Sequence, residues 1–341
     1  MHVTLTEVAA ATNVSVSTAS KALNDTGHLS AHTRRLVRKT AQQLGYISPH
    51  LRQASHEYRS GLIGLVSGDL EGRFSIPALA GAEDAFGKSN HAVLLTDSRG
   101  DPKLERSHID QMAAHGIDGL LVLGGETDSR PPIKPNTAMD VPIVYAYAPS
   151  TDPSDCSITC DNIKAGDRAI THLQQLGRRK IIILSGPDYY QAARDRILGA
   201  TQAMDRASLK PVIPIWFGSW NESYGRTATA QLIEDHLDFD GIYCLNDMLA
   251  RGCIDSLLEH GIRVPQDVAV IGHDNWLTTS QACRVPITTF DNNLHELGRK
   301  AAHLLLDAIK GHPHQGLSTI DCSLIIRQSA PESRNQHSHA K

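Results

Sequence analysis

From Leu62 onward, short continuous apolar runs alternate with amphipathic stretches, and this alternation constrains the fold more than any other feature of the chain. The runs are LIGLV (62–66), AVLLTD (92–97), GLLVLG (119–124), PIVYAY (142–147), KIIILSG (180–186), GIYCLN (241–246) and VAVIGHD (268–274). Helical patterns over 103–115, 163–176, 222–236 and 247–260 lie among them. Strands that are apolar on both faces and separated by helices predict parallel sheets covered on both sides. Ligands on such sheets bind beyond the carboxyl ends of the strands. Polar residues stand at several of those ends: Asp97, Asp161, Asn246 and Asp274. No glycine-rich phosphate loop follows the first strand. Ser67-Gly68-Asp69 fits neither a Walker nor a dinucleotide pattern, which weighs against a nucleotide-dependent enzyme.

The first sixty residues are of another kind. They carry seven Lys and Arg against three Asp and Glu, whereas the remainder carries 26 against 34, so the net charge of −4 conceals two parts of opposite sign. The cationic part is where nucleic acid would bind. Its segment VTLTEVAAATNVSVSTASKALN has the pattern of a helix-turn-helix, and three short helices are expected. Thr4-x-x-Glu7 starts the first as a capping box. Ser15 and Ser30 cap the second and third. Val8, Ala9, Ala19, Ala22 and Leu23 face inward, and Leu36, Val37, Ala41 and Leu44 form one apolar stripe. Gly45 is placed to end the third helix in the left-handed conformation. The expected organisation is a DNA-binding domain over 1–46, a polar hinge over 47–61 that contains Pro49, a ligand-binding core over 62–330 and a disordered tail over 331–341.

With 341 residues there is room for two or three packed domains. No apolar run approaches the roughly 20 residues that span a bilayer. Thr4, Thr6 and Glu7 interrupt the start of the chain, so no secretory signal is expected and the cytoplasm is the expected location. The six cysteines (156, 160, 244, 253, 283, 322) are scattered and read as buried or free thiols rather than as metal ligands. Neither a metal nor a cofactor is expected, nor any catalytic residue.

Seven segments, in this order and spacing, resemble the LacI/GalR family of transcription regulators: VSVSTASKALN (14–24), LGY (44–46), ARDRILG (193–199), NDMLA (246–250), VPQDVAVIGHD (264–274), PITTF (286–290) and LIIRQS (324–329). The likeness runs from Val3 to about Ser329. It implies an all-α helix-turn-helix domain followed by a periplasmic-binding-protein-like α/β core of two Rossmann-like parallel-sheet subdomains. The N-subdomain would hold about 62–160 and 291–320, the C-subdomain about 161–290 and 321–330, with three crossovers and a binding cleft between them. It also implies a homodimer. No apolar heptad follows the last strand, so a dimer rather than a coiled-coil tetramer is expected.

At the DNA end, Val16, Ser17 and Lys21 match the positions that resemble the family's base readers. The second helix of such a motif enters the major groove by its N-terminal residues. Val16 would touch a thymine methyl, and Lys21 would reach guanine O6 or N7. The family more usually has Arg where Lys21 stands, and a point donor discriminates less than a planar fork. Thr4, Ser15, Thr18, Ser20, Asn24, Ser30 and Thr33 match phosphate contacts, which fix register without reading sequence. The hinge departs from the family's Y-x-P-N-x-x-A-x-x-L: Ser48 replaces the proline, Arg52 the alanine and Ser55 the leucine wedge. An apolar wedge is what unstacks a base step, so a smaller operator bend is expected.

At the ligand end, the resemblance assigns Arg196, Asn246, Asp274 and Trp220 to effector contacts. Their chemistry suits a sugar: planar polar groups grip vicinal hydroxyls, and an aromatic face takes the ring's C–H surface. Asp69 and Phe74 resemble first-loop residues, although the usual N-P-F-F reads Gly72-Arg73-Phe74-Ser75 here. Tyr147 replaces a common cleft aspartate, and Asp161 stands at a strand end. The expected function is a repressor whose affinity for a palindromic operator changes when a small molecule, a sugar by preference, binds the cleft. The alternatives are a nucleoside- or nucleobase-responsive regulator, a sugar-binding module without DNA activity and, least supported, an enzyme.

Overall fold

A computed structural model describes residues 4–24, 26, 27, 29–44, 46, 59–134 and 141–332, and the chain divides into two compact units, Met1–Gly61 and Leu62–Lys341. Gly45, most of the hinge (47–58) and the tail from 333 lie outside the described residues. So does every hinge substitution named above.

The first unit consists of α1 (Leu5–Thr12), α2 (Val16–Leu23) and α3 (Ala31–Leu44). Thr4 and Glu7 form the reciprocal capping box, with the Thr4 amide donating to Glu7 Oε2 at 2.6 Å and the Glu7 amide to Thr4 Oγ1 at 3.3 Å. These bonds hold the Glu7 carboxyl below its ordinary value. Ser15 and Ser30 each accept from the backbone N–H three residues on, Thr18 and Thr33, at 3.1 Å. The core is Val8, Ala9, Ala19, Ala22, Val37 and Ala41, mostly small residues that let short helices approach closely. Leu36 and Leu44 are not part of it, at 42% and 40% exposed. Leu36 lies about 100° round the axis from Val37.

The second unit holds two parallel sheets. The first runs β11-β5-β4-β3-β1-β2, from β1 (Leu62–Ser67), β2 (Ala92–Asp97), β3 (Gly119–Leu123), β4 (Ile143–Ala146), β5 (Cys156–Cys160) and β11 (Gly316–Ile320). The second runs β7-β6-β8-β9, from β6 (Ile181–Ser185), β7 (Trp216–Phe217), β8 (Gly241–Cys244) and β9 (Ala269–Ile271). A short antiparallel pair, β10 (Thr289–Asp291) with β12 (Ser323–Ile325), completes the set. The chain passes between the sheets after Cys160, again after Asp291 and again after Ile320. β3, β5, β6, β8 and β9 are buried along their whole length, as doubly covered parallel strands must be. Beyond Ile271 the chain stays paired through Gly272 N–H to Thr288 O, then turns out at Asp274, whose φ is 100°. The strand expected over 268–274 is therefore short.

The helices are α4 (Ser75–Lys88), α5 (Pro102–Ala114), α6 (Asn162–Gln175), α7 (Gln191–Arg206), α8 (Glu222–Glu234), α9 (Asp247–Glu259), the single turn α10 (Leu277–Ser280) and α11 (Leu294–Ile309). Three pairs cross through glycine: α4 with α11 at Gly81 and Gly298, α6 with α7 at Gly166 and Gly199, and α8 with α9 at Gly225 and Gly252. A Cβ on Gly199 would lie 1.8 Å from Ile163 O, and one on Gly166 2.0 Å from Arg196 O. These contacts fix where α7 sits, and so where Arg196 sits. Five of the six cysteines are buried, and all are free thiols. No helix among the described residues is long and apolar enough to cross a membrane.

Candidate functional site

Loops at the carboxyl ends of strands in both sheets surround a cavity of about 820 Å³. The loop after β1 contributes Asp69, Arg73 and Phe74, and the loop after β3 contributes Glu126 and Asp128. Tyr147 follows β4, while Tyr190, Arg196, Trp220, Asn246, Asp274 and Trp276 come from the second sheet. Of the residues expected at a ligand site, Asp69, Phe74, Tyr147, Arg196, Trp220, Asn246 and Asp274 all line this cavity. Asp161 does not. It caps α6 instead, its Oδ1 accepting from the Lys164 amide at 2.9 Å, at the point where the chain leaves the first sheet.

Arg196 is the anchor of the site. Its side chain is 4% exposed and is held on three sides: Nε donates to Asn162 Oδ1 at 2.8 Å, Nη1 donates to Leu245 O at 2.5 Å, and Nη2 lies 3.6 Å from Asp274 Oδ1. Asp274, 6% exposed, also accepts from Asn292 Nδ2 at 3.3 Å through the same oxygen. Burial raises the Asp274 carboxyl above its ordinary value, and Arg196, Arg73 and Asn292 draw it part of the way back. Asn246 uses its side-chain oxygen to cap α9, accepting from the Leu249 amide at 2.8 Å. Its amide nitrogen donates no hydrogen bond among the described residues.

Two cleft residues adopt backbone conformations that L side chains seldom accept. Tyr147 has φ 70° and Asp274 φ 100°. Such positions cost on the order of 1–3 kcal/mol and persist where surrounding structure imposes them. At Tyr147 the imposing contacts are its own amide to Ile158 O at 2.8 Å and Thr159 Oγ1 to its carbonyl at 2.7 Å. The turn sets the phenol ring against Phe74, centroids 5.8 Å apart and planes at 28°. Opposite them Trp220 lies so close to the backbone at the end of β6 that a Cβ on Gly186 would be 2.1 Å from its ring.

Several participants were not among the expected site residues, although Arg73, Asp247 and His273 lie inside segments quoted above. Arg73 lies over Phe74 at 5.4 Å and over Trp276 at 5.5 Å. Asp128 accepts from the Gln191 amide at 3.1 Å and from Arg194 at 3.3 Å, joining the loop after β3 to the start of α7. Asp247, 1% exposed, accepts from the Trp276 amide at 2.9 Å and from Thr289 Oγ1 at 2.5 Å. Burial and the nearby Asp274 push its carboxyl up to about 8. Asn292, on the middle crossover, also meets His273 Nε2 at 3.0 Å and the Cys322 thiol at 3.6 Å, while its carbonyl accepts from the Cys160 thiol at 3.2 Å. Burial and Arg196 push the His273 imidazole well below its ordinary value, against the hydrogen bond with Asn292. Asp128, Trp276 and Asn292 lie outside every quoted segment; of these, Trp276, two residues past a strand-end aspartate, carried the nearest thing to a signal.

In the first unit Val16, Ser17 and Lys21 project from one side of α2 and are exposed, Val16 by 44%, while Ala19 and Ala22 are buried on the other. Ser15 and Thr18 stand 2.8 Å apart, as do Ser30 and Thr33. Each hydroxyl pair shares one proton, leaving a second O–H to donate beside a helix N-terminus. Ser20 accepts from Asn24 Nδ2 at 3.4 Å. The expected groove readers and phosphate contacts thus lie on three capped helices.

A cationic helix-turn-helix unit on an acidic two-sheet core with a cavity at its strand ends is the build of a DNA-binding transcriptional regulator. Residues 4–48 match the model of bacterial regulatory proteins of the lacI family, and 170–330 match that of a periplasmic binding protein-like domain. The chain is 30% identical to the HTH-type transcriptional repressor CytR of Escherichia coli (strain K12) over 331 residues, 96% of each chain. It is 28% identical to the HTH-type transcriptional repressor PurR of Haemophilus influenzae (strain PittEE), covering 96% of this chain and 98% of that one. A crystal structure of the lac repressor dimer bound to operator and the anti-inducer ONPF has the same fold, at a TM-score of 0.68 and 24% identity over 97% of this chain and all of that one. The chain belongs to the LacI family.

Proposed function

We propose that this chain acts as a homodimeric cytoplasmic repressor whose operator affinity is lowered when a sugar occupies the cavity between the two sheets. The observation that carries the reading is the Arg196–Asp274 pair, 4% and 6% exposed, opening on a cavity walled by aromatic rings. Among the described residues, Asp274 Oδ2 accepts no hydrogen bond and Asn246 Nδ2 donates none. A guanidinium, a carboxylate and a carboxamide with spare capacity are what vicinal hydroxyls require. A flat nucleobase would seat best between parallel faces. Phe74 and Tyr147 are already stacked on each other, and Tyr190 and Trp220 are tilted by 60°. The aromatic arrangement therefore favours a sugar over a base.

The coupling is a population shift: a ligand that prefers one arrangement of the two sheets changes how the paired DNA-binding units are presented. Gel-shift titration of a captured operator with sugars tests this. The parent is expected to release DNA, whereas Arg196→Ala binds DNA equally well and fails to release it. Equal release by both proteins would refute the assignment of Arg196.

A further inference from the structure

The cavity is larger than one sugar ring needs. Its volume of about 820 Å³ lies in the upper part of the roughly 300–1,000 Å³ range of small-molecule sites. Its aromatic rings form more than one platform. Phe74 and Tyr147 stack beside the buried Arg196 and Asp274. Trp220 and Tyr190 make a second cluster, centroids 6.0 Å apart. Trp276 forms the rim: it is 38% exposed, against 4% for Arg196, and Arg73 bridges it to Phe74. The lining thus includes both buried hydrogen-bonding residues and a half-exposed aromatic one.

The charge of the lining also discriminates. It contains six carboxylates (Asp69, Glu71, Glu126, Asp128, Glu222, Asp274) against three guanidiniums (Arg73, Arg196, Arg251). Arg196 faces Asp274 and Arg251 faces Glu222, each at 3.6 Å, so two of the three guanidiniums are already matched by acids. Asp128 is matched from outside the lining by Arg194 at 3.3 Å, which leaves Asp69, Glu71 and Glu126 against Arg73. Phosphate or carboxylate on the ligand would meet this surplus. Burial together with Asp128 raises the Glu126 carboxyl, a sign that negative charge is already disfavoured there.

We propose that the effector is an uncharged oligosaccharide of at least two rings. One ring is gripped by Arg196, Asn246 and Asp274 against the Phe74–Tyr147 pair, and the next lies against the aromatic residues toward Trp276. This rests on the reading of the cleft as a sugar site and adds the ligand's length and charge.

The test is isothermal titration calorimetry of the full chain with glucose, galactose, mannose and xylose, their α- and β-linked disaccharides, glucose 6-phosphate, cytidine and hypoxanthine. The expected result is a disaccharide that binds about tenfold or more tightly than its own monosaccharide, with glucose 6-phosphate weaker than glucose. Trp276→Ala should lower disaccharide affinity more than monosaccharide affinity, and Trp276→Phe should restore part of the loss. A monosaccharide that binds as tightly as every disaccharide overturns the length while leaving the sugar reading intact. Preference for the phosphate overturns the charge. Binding of cytidine or hypoxanthine alone, or of no saccharide, overturns both the inference and the reading beneath it.

Discussion

Arg196 shows how much a single buried side chain can settle. A guanidinium on a helix is ordinarily a solvated surface charge, and only three fixed partners justify taking this one out of water. Asp247 is the complementary case, a carboxyl held at about 8 by burial and by Asp274, against Thr289, the Trp276 amide and Arg327. Because its folded value lies above the ordinary 3.8, the native state binds the proton more tightly than the unfolded chain. Its contribution to stability is complete below about pH 4 and is lost as pH rises through about 8. Asp247→Asn removes that dependence. Thermal melts between about pH 5 and 8 should show the parent losing stability relative to the variant, by about 1 kcal/mol per pH unit. Parallel pH profiles would contradict the buried, protonated state.

At the scale of elements, the helix crossings and the caps do the positioning. Gly199→Ala would drive a Cβ toward Ile163 O, now 1.8 Å from that site, and should cost roughly 1–3 kcal/mol in thermal unfolding. An unchanged midpoint would mean that α6 and α7 separate freely. On α2, Lys21→Ala should weaken operator binding and reduce the slope of log affinity against log salt by about one if Lys21 meets a phosphate on its way to a base. An unchanged slope and affinity would remove Lys21 from the interface. Where the sequence marked a helix, its bounds held to within a residue or two, because caps such as Thr4 and Ser15 announce themselves. The helices over Ser75–Lys88, Gln191–Arg206 and Leu294–Ile309 were given no bounds. The glycine crossings were not legible, since a glycine in an alanine-rich helix reads only as a weak helix former. Nor could the sequence distinguish Asp161 from Asn246. Both end strands and cap helices, and only the fold decides that one of them opens on the cavity.

For the whole molecule, the alternation of strands and helices made the parallel sheets legible, and the charge split separated the cationic unit from the acidic core. Edge and crossover strands such as β7, β11 and β12 were missed, because they are two to five residues long and partly exposed. The cleft's membership came from the likeness to a family rather than from periodicity: its residues lie between positions 69 and 279 and converge only once both sheets exist. Asn292 shows why two sheets can act together. It lies on the crossover between them, bonded to Asp274 on the cavity side and to thiols from the other two crossovers. A ligand that moves Asp274 therefore acts on the joint itself.

The most direct test of the account is affinity capture of sheared genomic DNA by the purified chain, sequenced beside a Val16→Ala, Ser17→Ala, Lys21→Ala triple variant. The account predicts enrichment of one palindromic motif by the parent and its loss in the variant, since a two-fold dimer reads two matching half-sites. Enrichment of no motif, or equal enrichment by both proteins, would contradict it.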